Sequence, residues 1–443
     1  MKAAEALKRV APLLDARALP MIADGLVIAI AAFLPWSTSV TAILIVLWLI
    51  AFVPTLDRNC VRREALFAGG VPILLWLLAA AGMMWADVSL TERLQGLNSF
   101  HKLLFVPLLL AQFYRSGRAQ WVLVAFLASC GVLLIASLGL ALLPGLPWRG
   151  KDKMLGVPVK DYILQSELFV ICAFGLLGQA AAVWRARPKF ALWLALAAAL
   201  FISDLLYVET ARTALVVTAV LLCLFGMRLF GWKGGLAACA IGALLAGAAW
   251  MTSPHLRERV SRVIDNVEAY KAGNINTPIG QRFEYWSKSL KFVEQAPVLG
   301  HGTGSVLTLF RRDATPLTPP SAITGNPHNQ VLVVALELGI VGSMVLCAMW
   351  ASHLALFREH TLFAWFGLVV VVQNIVACLF NSHLFDFAQG WLYVFGVGVL
   401  GGTVLRERVA RARLNPDCAR TRSAAAATVE LDHHWYGEMP SAR

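Results

Sequence analysis

Long apolar stretches, separated by short polar or basic segments, dominate this chain. A helix needs about 20 apolar residues to cross the hydrocarbon core of a bilayer. Stretches that reach or approach this length occupy residues 21–36, 39–56, 67–86, 100–114, 119–143, 161–183, 189–208, 210–230, 232–251, 327–355, 361–380 and 387–405. The pattern therefore predicts an all-α, polytopic membrane protein with about 12 transmembrane helices.

One long polar segment, residues 252–325, interrupts this series of predicted spans. Apolar residues recur at helical spacing over residues 255–270 and 281–295, which predicts two amphipathic helices lying on the bilayer or on the helix bundle. The Ala- and Arg-rich C-terminal segment has the composition of a disordered tail. The predicted organisation is a short N-terminal segment, nine spans, one large outside loop, three spans and a basic tail, at residues 1–20, 21–251, 252–325, 326–405 and 406–443.

Composition and charge support a membrane location and set the orientation. Hydrophobic residues make up 58% of the chain and charged residues 14%, which excludes an ordinary soluble domain. The first apolar stretch lacks a convincing small-residue cleavage motif, so we interpret it as an uncleaved helix. With the N-terminus in the cytoplasm, the basic clusters of the intervening segments also face the cytoplasm, as the positive-inside rule requires. An even number of spans then returns the C-terminus to the same side.

Two outside segments are basic in spite of that rule. Arg149, Lys151 and Lys153 lie in one of them, and nine lysines and arginines lie between Arg257 and Arg312 in the other. Anion binding would explain this charge, although long external loops also escape the positive-inside rule. The sequence leaves both explanations open.

Polar residues also concentrate near the outer ends of the spans. Asp161, Gln165 and Glu167 begin the sixth span, where Glu167 shares a helix face with Lys160, and Arg212 lies where the seventh and eighth spans meet. Ionisable groups within a membrane are costly and usually functional. Because most of these groups lie towards one side, the pattern favours an enzyme cavity over a transporter, which needs polar groups throughout the membrane.

The segment from Gly325 to Gln330 opens the tenth predicted span. Asn326 is a suitable N-cap and Pro327 suits the first helical position, which places His328 in the first turn. The positive end of the helix dipole would then lower the pKa of His328 and keep its imidazole neutral. A neutral imidazole can accept a proton from a hydroxyl group, and a capping or interfacial role is the alternative.

Three segments together resemble the O-antigen ligase and polymerase superfamily. The sequence ETARTA at residues 209–214 looks like the arginine-bearing helix start of that superfamily. The sequences QRFEYW at 281–286 and PVLGHG at 297–302 resemble its R…W…P-x-x-G-x-G signature in a large periplasmic loop. The sequence PHNQVL at 327–332 is similar to its H-N-x-x-L helix. The order of the motifs is specific for the superfamily and not for one of its members.

This resemblance implies a glycosyltransferase of the bacterial inner membrane whose active site faces the periplasm. The donor would be a glycan linked to undecaprenyl pyrophosphate, and a ligase would transfer it to lipid A-core in lipopolysaccharide biosynthesis. A polymerase would extend a second lipid-linked glycan, and a further branch glycosylates protein hydroxyl groups. Length and the single dominant loop favour the ligase over the polymerase, and the short basic tail argues against the protein-modifying branch. The alternatives outside this class are a transporter of lipid-linked glycans, with Glu337 and Asn374 as deep polar groups, and a membrane scaffold.

The residues and the resemblance together assign roles. His328 is the predicted base, and Arg212 and Arg282 are the predicted catalytic arginines, because a guanidinium group matches phosphate oxygens bidentately. The donor pyrophosphate is expected to contact Arg212, Arg282, Arg311 and Arg312. The acceptor or its sugars are expected to contact Arg149, Lys151, Lys153, Asp161, Gln165, Glu167 and Tyr207. We expect inversion at the anomeric carbon, no metal, no cofactor and no nucleic acid, and a monomer surrounded by membrane lipids.

Overall fold

The computed structural model describes residues 18–56, 63–143, 145, 154, 156–208, 211–316 and 318–414. Within these residues every regular element is helical, which agrees with the predicted all-α class. The helices are α1 (Leu19–Phe33), α2 (Thr38–Phe52), α3 (Arg63–Gly82), α4 (Leu90–Phe100), α5 (Phe105–Arg115), α6 (Ala119–Leu142), α7 (Tyr162–Val183), α8 (Pro188–Tyr207), α9 (Arg212–Thr252), α10 (Pro254–Lys271), α11 (Pro278–Gln295), α12 (Val306–Arg312), α13 (Gln330–Leu356), α14 (Leu362–Cys378), α15 (Phe387–Phe395) and α16 (Gly401–Leu414). A π-helical turn, Gly396–Leu400, joins α15 to α16.

The long apolar helices occur where the hydrophobic pattern predicts spans. In the part of the chain that the structure describes, seven helical segments are long and apolar enough to cross a membrane by length and composition. Shorter apolar helices occur at α1, at the apolar part of α3 and at α14. A polytopic membrane protein is therefore consistent with the structure, whereas the count of twelve spans and the orientation stay predictions.

α9 consists of two limbs that fold back on each other. Its backbone leaves helical geometry around Gly231, which has φ +66°. The limbs approach closely, because a Cβ added to Gly226 would lie 2.3 Å from the carbonyl oxygen of Gly234. The far end of α9 thus returns to its starting end, where Thr252 Oγ1 lies 2.9 Å from the phenolic oxygen of Tyr207. The predicted spans at 210–230 and 232–251 correspond to these two limbs.

α13 is broken at Gly339, and the preceding loop fills the break. Gly339 has φ +63°, which interrupts the helical hydrogen bonds. Loop 297–304 supplies hydrogen bonds in place of those that the helix loses. Ile340 N donates to Pro297 O at 2.9 Å, and Gly302 N donates to Glu337 O at 2.9 Å. The backbone polar groups exposed by the break are therefore satisfied within the protein, as a membrane environment requires.

Polar side chains gather at two opposite ends of the bundle. At one end Arg408 forms an ion pair with Glu359, and Arg228 Nη2 donates to the carbonyl oxygen of Glu359 at 2.9 Å. Gln112 Nε2 donates to Asp24 Oδ1 at 2.9 Å at this same end. The starts of α7, α9 and α13 lie at the other end, together with the loop of residues 379–386. This second end carries the candidate site.

The basic tail predicted to be disordered from residue 406 begins as helix. α16 continues to Leu414, and Arg406 donates to the carbonyl oxygen of Ser116. Arg408 and Arg411 of this helix also contact Glu359, so residues 406–414 pack against the bundle. Residues 1–17 and 415–443 lie outside the described residues.

Candidate functional site

A polar cavity of about 410 Å³ lies between the starts of α7 and α9, the helices α10 and α11, and loop 379–386. It is lined by Tyr162, Ile163, Ala211, Arg212, Thr213, Arg259, Arg262, Asp265, Asn266, Pro278, Ile279, Arg282, Asn381 and His383. Among these lining residues arginine side chains outnumber carboxylates. The cavity is therefore cationic and suited to an anionic ligand.

Arg212 and Arg282 reach this cavity from different helices. Arg212 is the first residue of α9, and the residue before it is held by a hydrogen bond from Ala211 N to Ser166 Oγ at 3.2 Å. Arg282 lies near the start of α11. Burial lowers the pKa of Arg282, while the neighbouring Tyr162 opposes this change. Two cations near helix N-termini are unfavourable by themselves, so an anion between them would stabilise the arrangement.

His328 lies just before α13 and not inside its first turn, so the predicted helix start was wrong. α13 begins at Gln330, and its N-cap is Asn329, whose Oδ1 accepts from Leu332 N at 3.1 Å. Asn326 Oδ1 instead accepts from the backbone N–H of His328 at 2.9 Å. This turn holds His328 at φ +54°, a left-handed conformation that a residue other than glycine adopts only when its surroundings enforce it.

The imidazole of His328 is held by an amide and an aromatic ring. Its Nδ1 lies 2.8 Å from Asn381 Oδ1, and its ring stacks on Tyr285 with centroids 6.2 Å apart. Burial lowers the pKa of His328, Asn381 opposes this change, and Arg282 adds to it. This is the direction expected from the sequence, and burial is its largest cause.

The amide of Asn381 selects the tautomer of His328. Asn381 Nδ2 donates to Asp386 Oδ2 at 3.4 Å, so its Oδ1 faces the imidazole and accepts from Nδ1. This tautomer leaves the lone pair of His328 Nε2 available for a proton. His328 thus has the geometry of a general base beside the cavity that Asn381 lines.

A second buried histidine extends this network. His383 Nδ1 lies 3.0 Å from Asp386 Oδ2, and its Nε2 lies 2.9 Å from Glu167 Oε1. Burial alone would lower the pKa of His383, but Glu167 and Asp386 outweigh this effect and raise it to about 10. Lys102 Nζ donates to the carbonyl oxygens of Phe385 and Asp386 at 2.8 and 2.9 Å, which anchors the same loop.

The predicted sugar-binding residues that the structure describes do not line the cavity. Asp161 caps α7 by accepting from Leu164 N at 2.9 Å, and Gln165 Nε2 donates to Ser137 Oγ at 3.1 Å. Tyr207 contacts Thr252, as described above. Glu167 pairs with His383, whereas Lys160, its predicted neighbour, donates to the carbonyl oxygen of Leu34. Three further candidates, Arg149, Lys151 and Lys153, lie outside the described residues.

Arg311 and Arg312 are also placed away from Arg212 and Arg282. Arg312 Nη1 lies 2.8 Å from Asp87 Oδ2, and Arg311 Nη1 lies 3.9 Å from Glu92 Oε1. These ion pairs join α12 to Glu92 in the first turn of α4 and to Asp87 in the segment before it. The structure therefore does not bring this pair to the cavity where the pyrophosphate was expected.

The sequence prediction did not include several residues that form the cavity wall. Arg259 and Arg262 lie three apart on the amphipathic α10, and the guanidinium of Arg259 lies 5.2 Å from the ring of Tyr162. Residues at positions i and i+3 lie on one face of a helix. This spacing was the sequence feature that could have identified Arg259 and Arg262 as neighbours. Asn381 and His383 lie in a polar link between two apolar stretches, but their partners are distant in sequence.

An apolar cavity of about 420 Å³ adjoins the polar one. Both cavities are lined by Arg212, Thr213, Arg259, Ile279 and Arg282. The rest of the second lining is apolar and comprises Leu215, Val216, Val260, Val263, Phe283, Trp286 and Phe380. The arginines thus stand at the boundary between a cationic compartment and an apolar one. Such a boundary fits an amphiphile with an anionic head and a long apolar tail.

Fold and site together define a helical membrane protein with a cationic cavity, an adjoining apolar cavity and a histidine base candidate. Residues 197–347 match the family model described as O-antigen ligase, which confirms the resemblance of this part of the chain to the O-antigen ligase superfamily. This family is consistent with a membrane glycosyltransferase-like enzyme. The matched segment contains Arg212, Arg282 and His328.

A curated relative matches part of the same chain. An uncharacterized protein of Haemophilus influenzae is 26% identical over 151 residues. The match covers 32% of this chain and 36% of that relative.

Proposed function

We propose that this protein is an O-antigen ligase that transfers a glycan from undecaprenyl pyrophosphate to lipid A-core at the periplasmic face of the inner membrane. The observation that carries the proposal is the position of Arg212 and Arg282 at the boundary shared by the polar and apolar cavities. Undecaprenyl pyrophosphate combines an anionic head with a long apolar tail. In this proposal the pyrophosphate binds the arginines and the first isoprene units enter the apolar cavity.

The proposed reaction is a direct displacement at the anomeric carbon. An acceptor hydroxyl oxygen forms a bond to that carbon, and the bond from carbon to pyrophosphate oxygen breaks. Undecaprenyl pyrophosphate leaves with the bonding electrons, and His328 Nε2 accepts the hydroxyl proton. Arg212 and Arg282 stabilise the charge that develops on the leaving group, and they supply the positive charge for a metal-independent reaction. Direct attack inverts the anomeric configuration.

The contacts of the deep polar residues favour an enzyme over a transporter. Glu337 Oε1 accepts from Gly304 N at 3.0 Å, where loop 297–304 fills the break in α13. Asn374 Oδ1 lies 3.6 Å from Cys378 Sγ within α14. Both residues therefore have contacts inside the bundle, whereas a transporter would require them along a path for its substrate.

The test is a transfer assay with purified protein, undecaprenyl-pyrophosphate glycan and lipid A-core in the presence of a metal chelator. His328→Ala is expected to abolish transfer while the protein stays folded in detergent, because removal of a general base costs about 10²- to 10⁴-fold in rate. The matched control is His360→Ala, since His360 is exposed at the opposite end of the bundle. Near-normal transfer by His328→Ala would exclude it as the base.

The acceptor used in the assay separates the members of the superfamily. Glycan on lipid A-core supports the ligase. Growth of glycan chains on the lipid carrier, with lipid A-core unchanged, would instead identify a polymerase. Transfer to a protein hydroxyl would identify the protein-modifying branch, and no transfer to any acceptor would favour the transporter.

A further inference from the structure

The loop of residues 379–386 is anchored to several helices. Lys102 Nζ holds its carbonyl groups, as described above. Leu384 N donates to Gln330 Oε1 at 3.2 Å, and Asn329 Nδ2 donates to Leu379 O at 3.0 Å. The two contacts from the start of α13 fix this loop beside the segment that carries His328.

His383 in this loop forms a buried ion pair with Glu167, whereas the side chain of its other partner, Asp386, is 35% exposed. The side chain of His383 is 1% exposed and that of Glu167 is 0% exposed. Buried charges persist in proteins only when they are paired, and loss of one partner leaves the other uncompensated. Each ring nitrogen of His383 lies within ion-pair distance of a carboxylate, and an imidazolium that carries both protons would compensate these charges.

We propose that His383 is a positioning residue for the transfer reaction: as a permanent imidazolium clamped between Glu167 and Asp386, it fixes the Asn381 amide and thereby the base tautomer of His328. This inference rests on the proposed function. The chain of contacts runs from Glu167 to His383 at 2.9 Å, to Asp386 at 3.0 Å, to Asn381 at 3.4 Å and to His328 at 2.8 Å. His383 acts through the other members of the chain and accepts no proton itself.

The simpler alternative is that His383 only neutralises the buried Glu167. The two roles differ in their effect on His328, which is faced by Arg282 and Tyr285 from α11 and by Asp386 and His383 from loop 379–386. Removing the imidazolium takes away a nearby positive charge and leaves the Asp386 carboxylate without its partner. Both changes raise the pKa of His328. A histidine that only neutralises Glu167 becomes dispensable once Glu167 is neutral.

The experiment therefore compares H383Q with the double variant E167Q/H383Q. The double variant removes both buried charges, so it tests the proposal even where H383Q alone fails to fold. We expect both folded variants to transfer glycan about 10- to 100-fold more slowly, the loss typical when an outer hydrogen-bond partner of a metal-ligating histidine is removed. The acid limb of the rate-against-pH profile should move to higher pH. The matched control is E359Q/R411Q, which removes an ion pair at the opposite end of the bundle and should leave rate and pH profile unchanged.

A substrate-free measurement separates this inference from the proposed function. Diethyl pyrocarbonate modifies neutral imidazole, so the rate of His328 modification against pH, followed by peptide mass spectrometry, reports its protonation without any glycan. A shift to higher pH in E167Q/H383Q supports the positioning role even where transfer to lipid A-core is never observed. Wild-type transfer and a wild-type modification profile in the folded double variant would overturn it, and His383 would then only neutralise Glu167.

Discussion

Replacement of Arg282 by lysine tests the pyrophosphate site most directly, because it keeps a cation and removes the planar fork. Arg282 lines both cavities, which is where the proposed function puts the junction between the anionic head and the apolar tail of the donor. A guanidinium group can make two parallel hydrogen bonds to phosphate oxygens, whereas an ammonium group acts as a point charge. Loss of one hydrogen bond to a charged group costs about 1.5–3 kcal/mol, which corresponds to a rate loss of roughly 10- to 150-fold.

Burial of this position makes the rate loss in Arg282→Lys larger than the missing hydrogen bond alone would. Desolvation lowers the pKa of Arg282, but a guanidinium starts so high that it stays charged. An ammonium group at the same buried position starts at a pKa of about 10.4 and loses more of its charge near neutral pH. The expected loss in Arg282→Lys should therefore become greater as the pH rises.

The assay measures kcat and KM for the lipid-linked donor in Arg282→Lys. A contact that strengthens as the pyrophosphate leaves will lower kcat and kcat/KM together, whereas a contact made equally to the bound donor will raise KM alone. Arg411→Lys is the matched control, because Arg411 is exposed and pairs with Glu359 at the opposite end of the bundle. Turnover by Arg282→Lys within about threefold of wild type would refute a bidentate role for Arg282.

Two further predictions concern pH and packing. The transfer rate should fall as the pH drops through the pKa of His328, because a proton on Nε2 removes the base. This pKa lies below its ordinary value of 6.5. A rate that is flat across acidic pH would contradict the role of His328 as base. Gly302→Ala should lower the free energy of unfolding by about 1–3 kcal/mol, since Gly302 has φ +89° and its added Cβ would lie 2.4 Å from Ala86 Cα. Gly139→Ala in α6, where nothing lies within 4 Å of the added Cβ, should be neutral or stabilising in the same detergent melting experiment.

Apolar patterning was sufficient to place the long helices of this chain, whereas α4 and α12 were not predicted. The separate stretches at 210–230 and 232–251 anticipate the two limbs of α9, because Gly231 can adopt the positive φ of the reversal. The amphipathic stretches at 255–270 and 281–295 coincide with α10 and α11. These predictions depend on local periodicity, which the sequence displays directly.

The start of α13 shows where local rules fail. Asn326 followed by Pro327 satisfies the rules for a helix start, yet Asn329 is the cap that forms. Contacts from distant segments decide between them: Trp286 Nε1 donates to Pro327 O at 2.9 Å, and Asn381 holds the ring of His328. The chain before α13 is thereby turned outward, and His328 is presented beside the cavity instead of within the helix.

Glu167 shows how much a buried charge in an apolar stretch can reveal about the position of a functional site. Its position in an apolar stretch predicts a functional group, and the nearest cation in sequence, Lys160, was the natural partner. The actual partner is His383, which only the packing of loop 379–386 against α7 brings within 2.9 Å. Glu167 therefore marks the site without lining its cavity, since it acts through His383, Asp386 and Asn381. A buried carboxylate in a membrane span thus indicates that a partner exists, but the partner and the reacting group have to be found in the folded structure.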